Sequence, residues 1–346
     1  MTLVVLASHR LLEFPDVSGH FWVYLQYAQG LRSLGCDVCW LEEGADDHEA
    51  VETLRSRLAR FGFRDGLLLA GERETQHVLD AADLLLNFNY RLDASTRTKA
   101  LVDIDPGLLQ FWMEQRQLDV RPHDVYFTTG ERIGEPWVHI HPPVSLDLWP
   151  FTYDPDARAF TTVSSWWGDE WVAESDGRFY ENNKRVSFLE FVELPSRVDQ
   201  TLELALLLGR GDRDDRRLLD GFGWSLRHAP SVTQTPEDYR TYIQGSRGEF
   251  SCVKPSCLHF LNAWISDRSI CYLASGKPVV VQDTGPSEYL PSGRGLFRFT
   301  TPDEAAAALA AVDADYEGHC HAARELAETY FDARQTAQQI LAVTLG

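Results

Sequence analysis

Phosphate binding and proton transfer are the two chemistries this chain advertises. Ser266 and Asp267 are N-cap types in front of the apolar positions Ile270, Tyr272, Leu273 and Ala274. A helix starting there would present free N–H groups and about half a positive charge to an anion, with Arg268 and Ser269 in its first turn. Gly276 suits the left-handed stop of that helix, and Pro278-Val279-Val280-Val281 reads as a parallel strand covered on both faces. Gln282-Asp283-Thr284-Gly285 then falls at the strand's carboxyl end, where open α/β sheets bind ligands, with Glu288 just beyond. Lys184 opens another helix against its dipole, which favours a bound anion nearby. Far upstream, His20 follows Gly19 at a helix start, and a neutral imidazole suits proton transfer near pH 7.

The elements that must position these residues alternate in type. Residues 2–8 read as a strand, Gly19 to Leu34 as a helix with Ser18 as N-cap and Gly35 as stop, and Cys36 to Glu42 as the second strand. Leu84 to Asn89, Leu101 to Ile104 and Val138 to His141 are further strands. The Pro-rich stretch from Pro142 to Pro155 reads as a linker. A second alternation follows: a strand over Phe160 to Ser164, a helix over Lys184 to Val192, a strand or helix over Leu202 to Leu208, a short strand over Gly223 to Arg227 and a helix over Pro236 to Gln244. Thr301-Pro302-Asp303-Glu304 is a capping box with Pro at the first helical position. The tail, Tyr316 to Leu345, is one helix or two broken near Asp332. The expectation is α/β, with two Rossmann-like domains facing across a cleft, 1–148 and 156–346.

The Leu273-Ala274-Ser275-Gly276-Lys277-Pro278-Val279-Val280 segment resembles the donor domain of GT-B glycosyltransferases. Gly19-His20, ahead of a helix ending Leu-x-x-x-Gly, resembles the opening of inverting members, where the His deprotonates the acceptor hydroxyl. The resemblance implies His20 as base with Asp103 or Asp105, in LVDIDPG, as its carboxylate partner; Asp105 is the one taken. Ser246-Arg247-Gly248-Glu249-Phe250, followed by Lys254, resembles the Pro-Ser-x-x-Glu-Gly-Phe segment of retaining members. There Gly248 would permit close approach, and Arg247 and Lys254 would supply phosphate charge. The second Glu of that pattern is replaced by Cys257 or Cys271, so Asp267, Asp283 and Glu288 are the candidates for the ribose. Gly177-Arg178, ahead of Lys184, resembles a diphosphate-pairing segment of the same superfamily.

The implied function is transfer of a sugar from a nucleotide diphosphate, of UDP or TDP type, to a hydroxyl of a small acceptor. Gly19, Trp22 and Trp112 would meet that acceptor, since aromatic faces suit a flat or sugar ring. The alternatives are a non-catalytic nucleotide-sugar binder, or a retaining transferase acting on a modified nucleobase or a saccharide. An NAD-dependent oxidoreductase is disfavoured, because no Gly-x-Gly-x-x-Gly follows a strand.

Composition sets the outer bounds. The 346 residues favour two cores, and the net charge of −20 argues against non-specific binding to nucleic acid or anionic membrane. No membrane span and no signal peptide is read, and six scattered Cys fit a reducing compartment, so the expected location is cytoplasmic. Cys36-x-x-Cys39 spans opposite faces of a strand, and Cys252, Cys257 and His259 lack a second ligand pair, so no metal and no other cofactor is expected. Four Asp-x-Asp matches lie away from the donor motifs, and the one in RGDRDDRR reads as a solvated loop.

Overall fold

The computed structural model describes residues 1–346 except 15–16, 45–46, 93, 95, 169–170 and 174–178. The chain divides into two compact units, Met1–Ser145 with Phe331–Gly346, and Leu146–Tyr330.

The first unit holds β1 (Leu3–Ala7), β2 (Asp37–Glu42), β3 (Leu67–Leu69), β4 (Leu84–Asn87), β5 (Lys99–Asp103), β6 (Val125–Thr128) and β7 (Trp137–His139). They form one sheet in the order β3-β2-β1-β4-β5-β6-β7, every pairing parallel. β1 and β4 are apolar without alternation because helices cover both faces of a parallel sheet, and both are buried almost throughout. The order turns back beside β1, which is the switch point where such sheets gather ligand-binding loops.

The second unit holds β8 (Ala159–Ser164), an antiparallel ribbon of β9 (Trp171–Ala173) and β10 (Phe179–Glu181), then β11 (Thr201–Leu206), β12 (Ser225–His228), β13 (Gly248–Ser251), β14 (Val279–Gln282) and β15 (Leu296–Phe299). The main sheet runs β12-β11-β8-β13-β14-β15, again all parallel. β14 is buried at every residue between β13 and β15, as its β-branched run requires. The helix before it, Asp267–Ala274, starts at Ser266, whose hydroxyl accepts the Arg268 N–H at 3.3 Å. It stops at Gly276, with φ +70, where a Cβ would lie 2.4 Å from the Phe151 ring. The Thr301 capping box forms with Glu304. No helix among the described residues is long and apolar enough to cross a membrane.

The tail is two helices broken at Asp332, one of the two expected forms: Tyr316–Tyr330 and Ala333–Leu345, with Asp332 capping the second. Several other expectations are corrected. That last helix, read as part of the second domain, packs in the first unit along the Ser18–Ser33 helix. Gly30 makes the approach possible, since a Cβ there would sit 2.2 Å from the Ala333 carbonyl oxygen. The Pro-rich stretch is built into the units rather than left as a linker: Val144 pairs with Asp332 in the first, and Trp149 is fully buried in the second. Ser18 lies inside its helix, and Val17 occupies the cap position without a side-chain bond. RGDRDDRR contributes the helix Arg213–Gly221, and Asp215 in it accepts from Trp166 Nε1 and Arg185.

Candidate functional site

In the second unit the cations gather at the carboxyl edge of the sheet. β13 ends at Ser251 and β14 at Gln282, and the Asp267–Ala274 helix starts beside them. A narrow cleft is lined there by Lys184, Ser251, Trp264, Ser266, Arg268 and Ser269 among others. Arg268 is fixed on three sides. Its Nε donates to Glu249 Oε1 at 2.7 Å, Nη1 to the Val163 carbonyl at 2.9 Å and Nη2 to Ser251 Oγ at 2.5 Å. Glu249 and Ser251 can share this task because residues two apart on a strand face one side. The Ser269 hydroxyl, in the first helical turn, is buried without a partner.

Lys184 adds the second cation. Burial, then the charges of Arg268 and Lys254, push its ammonium down to about 7. Among the described residues, the carboxylate that opposes this is Glu249, which already pairs with Arg268. Positive charge therefore exceeds negative at a helix N-terminus whose N–H groups face the same edge. That combination is the chemistry that an anion such as a phosphate calls for.

Of the residues singled out for the donor, Lys184, Arg268 and Ser269 meet in this cleft, and Lys254, which follows β13, adds its charge to it. Glu249 is there too, as the buried partner of Arg268 rather than at the cleft wall. Asp267 is the first residue of the helix. Asp283 spends its carboxylate on the Gly285 N–H at 2.9 Å, making a turn. Thr284 donates to the Trp264 carbonyl at 2.6 Å, and Gly285, with φ +109, leaves room for the Leu261 carbonyl where a Cβ would come within 2.6 Å. These two residues brace the 261–264 segment. Glu288 is exposed. None of the three carboxylates proposed for the ribose is among the residues lining the cleft.

Ser246 and Arg247 are corrections. The segment resembling a donor loop is the strand β13 itself, so both residues precede it, at the amino edge. Ser246 bonds Thr161 Oγ1 at 2.6 Å and the Tyr242 carbonyl at 2.9 Å. Arg247 pairs with Asp313 at 2.5 Å, donates to the Ala157 carbonyl and lies 3.9 Å over the Tyr316 ring. The strand's length, at about 3.3 Å per residue, separates them from the cleft. Beyond β13, Ser256 donates its N–H to Asn182 Oδ1 at 2.9 Å. Gly177 and Arg178 lie outside the described residues. Trp224 is a core residue whose Nε1 donates to the Val192 carbonyl at 2.8 Å.

In the first unit His20 sits one turn into the Ser18–Ser33 helix, with Gly19 beside it in the half-buried first turn. Its Nε2 lies 2.6 Å from the His9 carbonyl oxygen and 3.2 Å from Tyr24 Oη. A carbonyl only accepts, so Nε2 carries the proton and Nδ1 is the basic nitrogen. Burial holds the ring's affinity for a proton below the usual value, while the His9 carbonyl and the Asp105 charge oppose this. Asp105 acts on His20 as a nearby charge. The ring is oriented by His9 and Tyr24, which corrects the expectation of a direct His20–Asp105 clamp. Asp105 itself sits in a turn, its N–H donated to Asp103 Oδ1 at 3.0 Å. Asp103 is buried, accepts from Gln110 at 2.7 Å and Thr128 at 3.0 Å, and burial pushes it up to about 7.

Trp22 is a further correction: it is 1% exposed and packs edge-on against Phe61, so it belongs to the core. Phe21 likewise stacks on Trp40. Helical spacing put these aromatics on the sheet-facing side. Trp112, in the Leu108–Glu114 helix, is half-buried.

No family model matches the sequence, and no curated protein does. Solved structures do. Sucrose-phosphate synthase from Thermosynechococcus elongatus matches with a TM-score of 0.59 at 12% identity, over 99% of this chain and 98% of its own. HepE of Anabaena in complex with UDP-glucose matches with 0.58 at 12%, over 99% of both chains. An alpha-glucosyltransferase in complex with UDP-glucose and DNA containing an abasic site matches with 0.61 at 10%, over 99% of this chain and 98% of that one. The fold of this chain is therefore that of GT-B glycosyltransferases, two α/β units each built on a parallel sheet.

Proposed function

We propose that the chain is a glycosyltransferase that takes its sugar from a UDP-type nucleotide diphosphate. The observation that carries the reading is the cleft at the start of the Asp267–Ala274 helix, where Lys184, Arg268 and the partnerless Ser269 hydroxyl converge. Arg268, Lys184 and the helix N–H groups would hold the diphosphate and offset the charge that develops as it leaves, so the reading needs no metal ion. UDP rather than TDP is favoured because UDP or UDP-glucose is bound in several similar solved structures.

The acceptor hydroxyl belongs to the first unit in this reading. His20 Nδ1 would take its proton, with the Asp105 charge supporting the imidazolium that results. One base opposite the leaving group gives a single displacement, and the product is inverted at the anomeric carbon. A retaining transferase is the second reading. The observation favouring it is that His20 gains no hydrogen bond from Asp105, so the imidazole would bind sugar or acceptor instead of moving a proton. The acceptor is proposed to be a small molecule met by Gly19 and Trp112. The net charge of −20 disfavours a polyanion, although DNA accompanies two of the similar structures. A cytoplasmic location fits the scattered cysteines.

Incubating the chain with UDP-glucose and its relatives, with and without EDTA, tests the proposal by release of UDP. Release that survives EDTA supports it. Neither release nor binding of any nucleotide sugar ends it. The anomeric proton coupling of the product, read by NMR, separates inversion from retention.

A further inference from the structure

The turn that holds His20 is itself held by a buried carboxyl group. Ser8 to Leu12 follow β1 and carry the His9 carbonyl that accepts from His20 Nε2 at 2.6 Å. The residue after His9 is Arg10, with φ +61, a left-handed conformation in a residue with a side chain. Such a conformation crowds the Cβ against the following carbonyl, and it persists only where the surroundings enforce it. The Arg10 side chain pairs with Glu13 and lies 5.0 Å over the Phe14 ring. The chain on either side of it is tied to Glu42, at the end of β2. Glu42 is 1% exposed, takes the Ser8 hydroxyl bond on Oε1, and accepts the backbone N–H groups of Leu11 and Leu12. One carboxyl thus ties both ends of the strained residue pair His9-Arg10. The nearest charge on it is Glu43, whose own carboxylate accepts from Asn89 at 2.6 Å. Burial and then Glu43 raise the Glu42 carboxyl to about 8, so near pH 7 it is mostly a neutral acid.

We propose that Glu42 is a positioning residue that locks the Ser8–Leu12 turn, keeps the His9 carbonyl on His20 Nε2, and so decides that Nδ1 is the nitrogen left basic. The inference rests on His20 being the group that meets substrate, as proposed above. Its structural half stands without that reading. Gln at 42 keeps size, a carbonyl acceptor and a donor in place of the acid; Met keeps size and removes the polar ties.

The test is the ring-nitrogen NMR spectrum of His20 in the ¹⁵N-histidine-labelled full chain without nucleotide. The wild type should show the single pattern of an Nε2-protonated ring, and Glu42→Gln should keep it. Glu42→Met should lose it, the two nitrogen shifts moving toward each other as the tautomers mix. Arg10→Gly, which removes the strain, should restore the single pattern in the Glu42→Met background. If Glu42→Met does not fold, Ser8→Ala is read in its place for the same mixing. An unchanged single pattern in the folded Glu42→Met chain, or in Ser8→Ala where that replaces it, overturns the proposal. Sugar transfer is assayed in parallel. Mixed tautomers in a chain that transfers no sugar would leave the positioning role intact and remove the proposed function. Transfer with an unmoved tautomer would do the reverse.

Discussion

Arg268 Nε and Glu249 Oε1 lie 2.7 Å apart, both side chains buried, on adjoining elements of one sheet edge. A guanidinium taken out of water keeps its charge, so it needs a buried counter-ion and full hydrogen bonding. Glu249, Ser251 and the Val163 carbonyl supply these, and Glu249 Oε2 is left without a partner. Glu249→Gln should therefore destabilise the chain by about 3–5 kcal/mol, the cost of a buried charge losing its counter-ion. Urea denaturation of the variant checks this, and a loss below about 1 kcal/mol would mean water reaches the pair.

Arg247→Ala should leave UDP affinity unchanged. The side chain is committed to Asp313 and the Tyr316 ring at the opposite edge of the sheet. Stability should fall by about 1–2 kcal/mol from the lost ion pair and cation–π contact. Calorimetric titration and a melting curve on the same sample read both quantities.

Lys277→Met should stabilise the chain. Lys277 is 0% exposed, and its Nζ has no hydrogen-bond partner. Burial lowers its pKa below the ordinary lysine value. The folded state thus binds fewer protons here than the unfolded chain. The penalty is greatest at pH values below the folded pKa and fades as pH rises toward the unfolded value of about 10.4. The gain from Met should be about 1–3 kcal/mol at pH 7 and shrink by pH 10. A gain that grows with pH would contradict the burial argument.

Burial and its cationic neighbours push the Lys184 ammonium down to about 7. A bound diphosphate favours the charged form, so binding above pH 7 should take up a proton. UDP affinity should weaken between pH 7 and pH 9, and Lys184→Met should flatten that slope. Calorimetry in buffers of different ionisation enthalpy counts the proton directly; zero uptake at pH 8 would place Lys184 outside the diphosphate.

Much of the architecture was legible because local signals agreed with it. The Val279–Val281 run, the Ser266 cap, Gly276 and the Thr301 capping box each have one physical solution, and the chain adopts it. Lys184, Arg268 and Ser269 come together for a similar reason: each belongs to the first turn of a helix, and the two helix starts border one cleft. Arg247 and Ser246 were misread because a motif's composition does not say on which side of a four-residue strand it falls. Trp22 was misread because an aromatic helix face looks alike whether it meets a ligand or Phe61. The return of the last helix to the first unit depends on one close approach, Gly30 against Ala333, between residues about 300 apart. Glu42 and the His9 carbonyl carry no sequence signal, since a left-handed Arg10 and a buried carboxyl are tertiary facts.

The central claim is that the cleft of the second unit binds a nucleotide diphosphate, and calorimetric titration of UDP into wild type and Lys184→Ala tests it most directly. Binding by the wild type, weakened about tenfold or more in a variant that melts at an unchanged temperature, is the predicted result, on the scale of one charged hydrogen bond lost. Equal affinity in the two proteins, or no heat from either, would contradict the account.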